Sequence, residues 1–146
     1  MITSTSNAQI KELAKLQKKS RLRDEKGIFL VEGPRMTEEI PAERIEKVYA
    51  SESFAKKNKE FLEKLQAPVE LLTDTVFAYV SDTKTPQGIL AIVKRLNYTM
   101  NDLMQMKNQK APHLVVLDNL QDPGNLGTIF RTAEAAGVTG ILLSKD

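Results

Sequence analysis

Leu114-Val115-Val116-Leu117-Asp118-Asn119-Leu120-Gln121-Asp122-Pro123-Gly124-Asn125-Leu126-Gly127-Thr128-Ile129-Phe130-Arg131-Thr132-Ala133-Glu134 passes from an apolar run, through a turn whose one hydrophobic side chain is Leu120, into a helical pattern. Proline fixes one dihedral, glycine permits a positive one, and asparagine tolerates either role or caps a helix. These residues place the turn at 122–125 and predict a helix from 126 to about 136, with Gly137 stopping it. At about 100° per residue, Leu126, Ile129, Phe130 and Ala133 form one buried stripe. Gly127, Arg131 and Glu134 share the flank beside it. Ligands of open α/β sheets bind at the carboxyl ends of the strands, and a helix N-terminus offers free N–H groups to phosphate. The flank therefore reads as an anion or ribose contact site. It is not a Walker loop, which needs a lysine followed by Ser or Thr, and its glycine spacing is not that of a dinucleotide fingerprint. The plainer alternative is a generic strand-to-helix turn whose Arg131 pairs with Glu134 or with solvent.

Upstream, the chain alternates strands and helices. Ser6-Asn7-Ala8-Gln9 reads as a capping box with Ser6 as N-cap. Ile10, Leu13, Ala14 and Gln17 continue at helical spacing to about Lys19. Strands are expected at Ile28-Phe29-Leu30-Val31, Lys47-Val48-Tyr49-Ala50, Val69-Glu70-Leu71-Leu72 and Ile89-Leu90-Ala91-Ile92-Val93. Between them fall a short helix over 35–40, a helix capped by Ser53 that holds Phe54, Ala55, Phe61, Leu62 and Leu65, and a short helix begun by Thr73 or Asp74. The last strand is apolar throughout, as suits a central strand covered on both faces. This alternation predicts a layered α/β domain over 1–96, a polar, methionine-containing linker over 97–112, and the start of a second α/β unit over 113–146. Met100, Met104 and Met106 are expected to pack on a neighbouring surface.

Composition narrows the chemistry. The 146 residues contain no cysteine and a single histidine, His113. Thiolate chemistry, disulfides and a histidine pair for a metal are thereby excluded. There is no apolar run long enough for a bilayer and no secretion-type leader, which points to a cytoplasmic, metal-free protein. The net charge of +2 says little, but Lys11, Lys15, Lys18, Lys19, Arg21 and Arg23 crowd one segment. A local basic patch is the footprint of a nucleic-acid surface. A solvated helix face is the competing reading.

The stretch from Leu117 to Gly137 resembles the first signature motif of the SpoU/TrmH-type RNA ribose 2′-O-methyltransferases of the SPOUT class. Asp122-Pro123-Gly124-Asn125-Leu126-Gly127, then Ile129, then Arg131-Thr132-Ala133, match that motif almost position by position. Ile2-Thr3-Ser4, Asn7, Ile10-Lys11, Leu16, Val31-Glu32-Gly33 and Thr85-Pro86-Gln87-Gly88-Ile89-Leu90-Ala91 are similar to the substrate-binding domain that precedes it. The resemblance implies an α/β fold: an N-terminal α/β/α sandwich, like ribosomal proteins that bind kinked RNA, plus the first strand-helix-strand of a trefoil-knot methyltransferase domain. It implies methyl transfer from S-adenosylmethionine to a ribose 2′-hydroxyl of structured RNA, ribosomal RNA foremost. Arg131 would be catalytic with Asn125 beside it, Gly127 and Glu134 would support them, and Lys11, Lys15, Lys18, Lys19, Arg21 and Arg23 would contact RNA phosphates.

In the family, later segments bind S-adenosylmethionine, tie the knot and form most of a homodimer interface. This sequence reaches Asp146 before them. The expectation is therefore a chain without cofactor-binding residues or knot, inactive on its own. Two alternatives stand beside it: a non-catalytic RNA-binding module, and a small nucleotide-binding α/β protein unrelated to methylation.

Overall fold

The computed structural model describes residues 1–104 and 111–144. It divides into two units, Met1–Arg95 and Leu96–Asp146.

The first unit runs α1 (Ala8–Lys18), α2 (Ser20–Lys26), β1 (Ile28–Glu32), α3 (Pro34–Glu38), β2 (Ile45–Ser51), α4 (Glu52–Lys57), α5 (Lys59–Lys64), β3 (Val69–Leu72), α6 (Asp74–Val80) and β4 (Ile89–Lys94). Its sheet has the order β1-β4-β2-β3. The apolar strand β4 is central, antiparallel to both β1 and β2, while β2 and β3 run parallel. Successive side chains of a strand point to opposite faces, and β4 uses both. Leu90 and Ile92 meet Ile10, Leu13 and Leu16 of α1 with Val76, Phe77 and Val80 of α6. Ile89, Ala91 and Val93 meet Val31, Ile45, Val48 and Leu65, flanked by Phe54, Phe61 and Leu62. Two cores, one on each face of a single sheet, make the α/β/α sandwich that the sequence implied.

Several local expectations are corrected. Asn7, not Ser6, caps α1, accepting from the Gln9 N–H at 2.9 Å. Gln9 does not reach back to close a capping box; its Oε1 accepts from Lys47 Nζ at 2.7 Å. The basic segment breaks into two helices because Lys19 is extended (φ −120°, ψ 99°). The helix after β2 starts at Glu52 under a Ser51 cap that accepts from the Phe54 N–H, and it breaks again at Asn58. Ser53, expected as that cap, instead donates its hydroxyl to the Asp74 carboxylate at 2.5 Å. This bond holds the Asp74 carboxyl below the usual carboxylate range.

Two segments that carry the family resemblance meet at the end of β1. The Glu32 carboxylate accepts from the Ser81 hydroxyl at 2.8 and 2.9 Å, from Thr83 Oγ1 at 3.0 Å and from the Gln87 N–H at 3.2 Å. Three donors on one carboxylate, with the Ser81 proton shared between its two oxygens, tie the 81–87 loop to β1, so this part of the motif has a structural account.

The second unit contains α7 (Met100–Met104), β5 (Leu114–Leu117), α8 (Pro123–Ala135) and β6 (Gly140–Leu143). β5 and β6 pair parallel, from Leu114↔Gly140 to Leu117↔Leu143, and α8 makes the crossover that a parallel pair needs. Met100 and Met104 do not pack down as expected and stand more than half exposed; Met106 lies outside the described residues. Leu103 does the packing, against Gly140. The stripe expected on α8 is only partly buried, with Phe130 exposed and Ala133 the one buried hydrophobic residue of this unit among those described. Val116 and Leu143 of the strands are exposed as well.

Candidate functional site

The turn after β5 works differently from the expectation. The residue with a positive φ is Asn119 (52°), not Gly124. Asparagine is among the few non-glycine residues that adopt this conformation readily. The Asn119 N–H donates to Ser144 Oγ at 2.9 Å, which ties the turn to the end of β6. The helix then begins three residues earlier than the spacing suggested. Pro123 takes the first helical position, where its missing N–H costs nothing. The Asp122 carboxylate caps the helix, accepting from the Asn125 N–H at 2.6 Å. Asp122-Pro123-Gly124-Asn125 is therefore a capped first turn of helix. At the other end, Gly137 does stop the helix (φ 68°), and the Val138 N–H closes onto the Ala133 carbonyl at 2.9 Å.

Arg131 is exposed and sits two turns into α8. Side chains on a helix lean toward its N-terminus, and this one does. Its Nη2 donates to Thr128 Oγ1 at 3.2 Å, and that hydroxyl in turn donates to the Gly124 carbonyl at 3.0 Å. The guanidinium passes beside Gly127, where a Cβ would lie 3.5 Å from Arg131 Nη1, an ordinary contact that does not by itself demand glycine. The guanidinium is thus laid back along the Gly127–Thr128 turn, on the side of the capped helix start. Asn125, in the first turn, is exposed too. Glu134 is not the partner that the spacing allowed. Among the described residues, no ion pair joins it or any other carboxylate to Arg131. Four of the five donors of the guanidinium fork remain for a ligand. Thr128, which sequence reasoning passed over, does the positioning. Its signal was a hydroxyl one turn before the arginine.

The basic candidates of the first unit separate into three groups. Lys11, Lys15 and Lys18 lie at i, i+4 and i+7 on one face of α1, with Lys19 at its C-cap, and all four are exposed. Among the described residues none of the four is in an ion pair. Arg21, on α2, pairs with Glu25 at 2.9 Å. Arg23 is half-buried, and its Nη1 donates to the carbonyls of Leu16 and Gln17, the latter at 2.9 Å. Through that arm it clamps the C-terminal end of α1. The four free lysines border a shallow groove of about 250 Å³, floored by Ala14 and closed by Tyr79. Neighbouring Glu12 is held by Lys26 at 2.6 Å, which lowers its pKa from the ordinary carboxylate value.

Among the described residues, no cluster of three His, Cys, Asp or Glu could hold a metal, and no helix is long and apolar enough to cross a membrane.

Comparison with known proteins covers nearly the whole chain. Residues 7–91 match the MRM3-like substrate binding domain, and residues 112–146 match the SpoU rRNA Methylase family. An uncharacterized tRNA/rRNA methyltransferase of Synechocystis is 35% identical over 99% of this chain and 53% of its own length. The 23S rRNA (guanosine(2553)-2'-O)-methyltransferase RlmP of Bacillus subtilis is 32% identical over 97% of this chain and 53% of its own length. The crystal structure of an AdoMet-bound rRNA methyltransferase from Sinorhizobium meliloti superposes with a TM-score of 0.69 at 28% identity, over 99% of this chain and 54% of that one. The chain spans about half the length of these proteins.

Proposed function

Because this chain belongs to the SpoU rRNA methylase family, we propose that it provides the RNA-binding and acceptor side of a ribose 2′-O-methylation, with ribosomal RNA as the substrate class. The carrying observation is the exposed Arg131 fork, oriented by Thr128 beside the capped start of α8 and free of any ion pair among the described residues.

A 2′-hydroxyl is a poor nucleophile until its proton leaves or its pKa falls. A guanidinium stays protonated at any ordinary pH and cannot remove that proton. Arg131 therefore works as an electrostatic partner. It donates to the 2′-oxygen or the adjacent phosphate and stabilises negative charge as it develops on the oxygen. The proton passes to a phosphate oxygen or to water. Asn125, near the same end of the helix, donates to the ribose or phosphate.

S-adenosylmethionine, the family's co-substrate, supplies an electrophilic methyl group. The described residues do not fit it by themselves. Asp118, Asn119, Gln121 and Asp122 of the loop and Asn125 of the first helical turn are all exposed and form an open edge, not a cleft that would enclose an adenosine. No residue of this chain is therefore assigned to the donor.

The same open edge favours a second reading, a module that binds RNA without chemistry. One assay separates the two. The chain is tested alone and fused to the part of the Bacillus subtilis relative that lies beyond the match, with labelled S-adenosylmethionine and ribosomal RNA. Transfer to a ribose 2′-oxygen by the fusion and not by the chain alone is the expected result. A fusion that binds donor and RNA yet transfers nothing supports the module instead.

RNA affinity should also be strongly salt-dependent. Phosphate contacts by the four α1 lysines give a slope of log affinity against log salt of roughly −3 on a single strand, measurable by anisotropy titration. A slope near zero reduces these lysines to a solvated helix face.

A further inference from the structure

The groove beside α1 contains more than charge. Lys15 and Lys18 lie in the last turn of their helix, where cations offset the negative end of the helix dipole. That role accounts neither for Lys11, earlier in the helix, nor for Tyr79. On α6, Val76, Phe77 and Val80 face the core, while Tyr79 turns outward and stays 53% exposed. An aromatic ring left in solvent at the wall of a lysine-lined groove has the form of a site for one nucleotide. Phosphate oxygens meet the ammonium groups, and the base lies on the ring. The floor is the small side chain of Ala14, which leaves room for a flat ring.

We propose that Tyr79 and the groove formed by Lys11, Lys15, Lys18 and Lys19 receive a single unstacked nucleotide of the RNA, with its base stacked on the Tyr79 ring. The assignment rests on the RNA-binding reading given above and sharpens it, from a surface that meets phosphates to one that selects RNA with a flipped or bulged base. Lysines position the backbone without reading sequence, whereas base–aromatic stacking requires a base that has left its helix. Any of the four bases can stack, so the preference is for RNA shape.

The test uses the intact chain and two RNA hairpins that differ only in one bulged adenosine. The wild type is expected to bind the bulged hairpin more tightly. Tyr79→Ala should weaken binding to that hairpin by roughly fivefold or more, fivefold being the low end of what one stacked base contributes, and leave binding to the fully paired hairpin unchanged. Tyr79→Phe keeps the ring and should retain the preference. Lys11→Ala/Lys15→Ala should weaken binding to both hairpins alike. The chain has no tryptophan, so Tyr79→Trp gives an emission signal of its own, which the bulged hairpin should quench far more than the paired one. Circular dichroism checks that each variant is folded. If Tyr79→Ala affects both hairpins equally or neither, or if Tyr79→Phe is as weak as Tyr79→Ala, the stacking site is refuted while the lysine surface stands. If the wild type binds neither hairpin, the RNA-binding reading fails and the nucleotide site fails with it.

Discussion

Arg131→Lys lowers methyl transfer by the fused protein by about 10²–10³-fold, the cost of losing one preorganised donor to a developing oxyanion, while RNA affinity changes little. Lysine keeps the positive charge but not the planar fork. In the structure one arm of that fork is held by Thr128 at 3.2 Å, and the remaining donors face solvent. An ammonium group placed on the same backbone satisfies either Thr128 or the ribose, not both in one fixed geometry. The loss should therefore appear in kcat, with KM for RNA nearly unchanged. Single-turnover kinetics with saturating RNA measure it. A lysine variant within tenfold of wild type would show that charge alone suffices.

Gly88→Ala destabilises the first unit by about 3 kcal/mol, combining backbone strain with overpacking. Gly88 has a φ of 80°, where an L side chain is strained. A Cβ at that position would lie 2.8 Å from Phe54 Cβ and 3.1 Å from Ser51 Oγ. Neither neighbour can give way cheaply. Ser51 is buried and caps α4, and Phe54 packs edge-on against Phe61 at 5.9 Å between ring centres. Denaturant unfolding followed by circular dichroism should show the midpoint fall with an unchanged slope. A loss below about 1 kcal/mol would mean that the loop relaxes around the methyl group.

The strands of the sandwich were legible in the sequence to within a residue or two, because alternation and apolar runs report burial directly. The order β1-β4-β2-β3 was not legible. Nothing in Ile89–Val93 says that its neighbours run antiparallel to it. The stop of α1 at Lys19 was expected but the helix Ser20–Lys26 that follows it was not read, and the helix break at Asn58 escaped notice because it falls on neither Gly nor Pro. Pro123 was read as a turn residue when it is the first residue of a helix, since proline serves both positions and only the Asp122 cap decides between them. At the candidate site, residue identities were readable and partnerships were not. Arg131 turned to Thr128 and away from Glu134, and Arg23 turned inward to helix carbonyls. Tyr79 was passed over because it falls off the apolar stripe of a short helix, and its place beside α1 exists only in three dimensions.

Ala133 as the lone buried hydrophobic residue among those described after Arg95 has a practical corollary. A cooperative melt of this chain is dominated by its first ninety-five residues, since sub-global openings cost little where few apolar side chains are removed from water. Heat and denaturant curves will then register Gly88 and stay silent about Arg131. Amide exchange, followed residue by residue along α8, is the measurement able to watch the arginine's helix fray and reform.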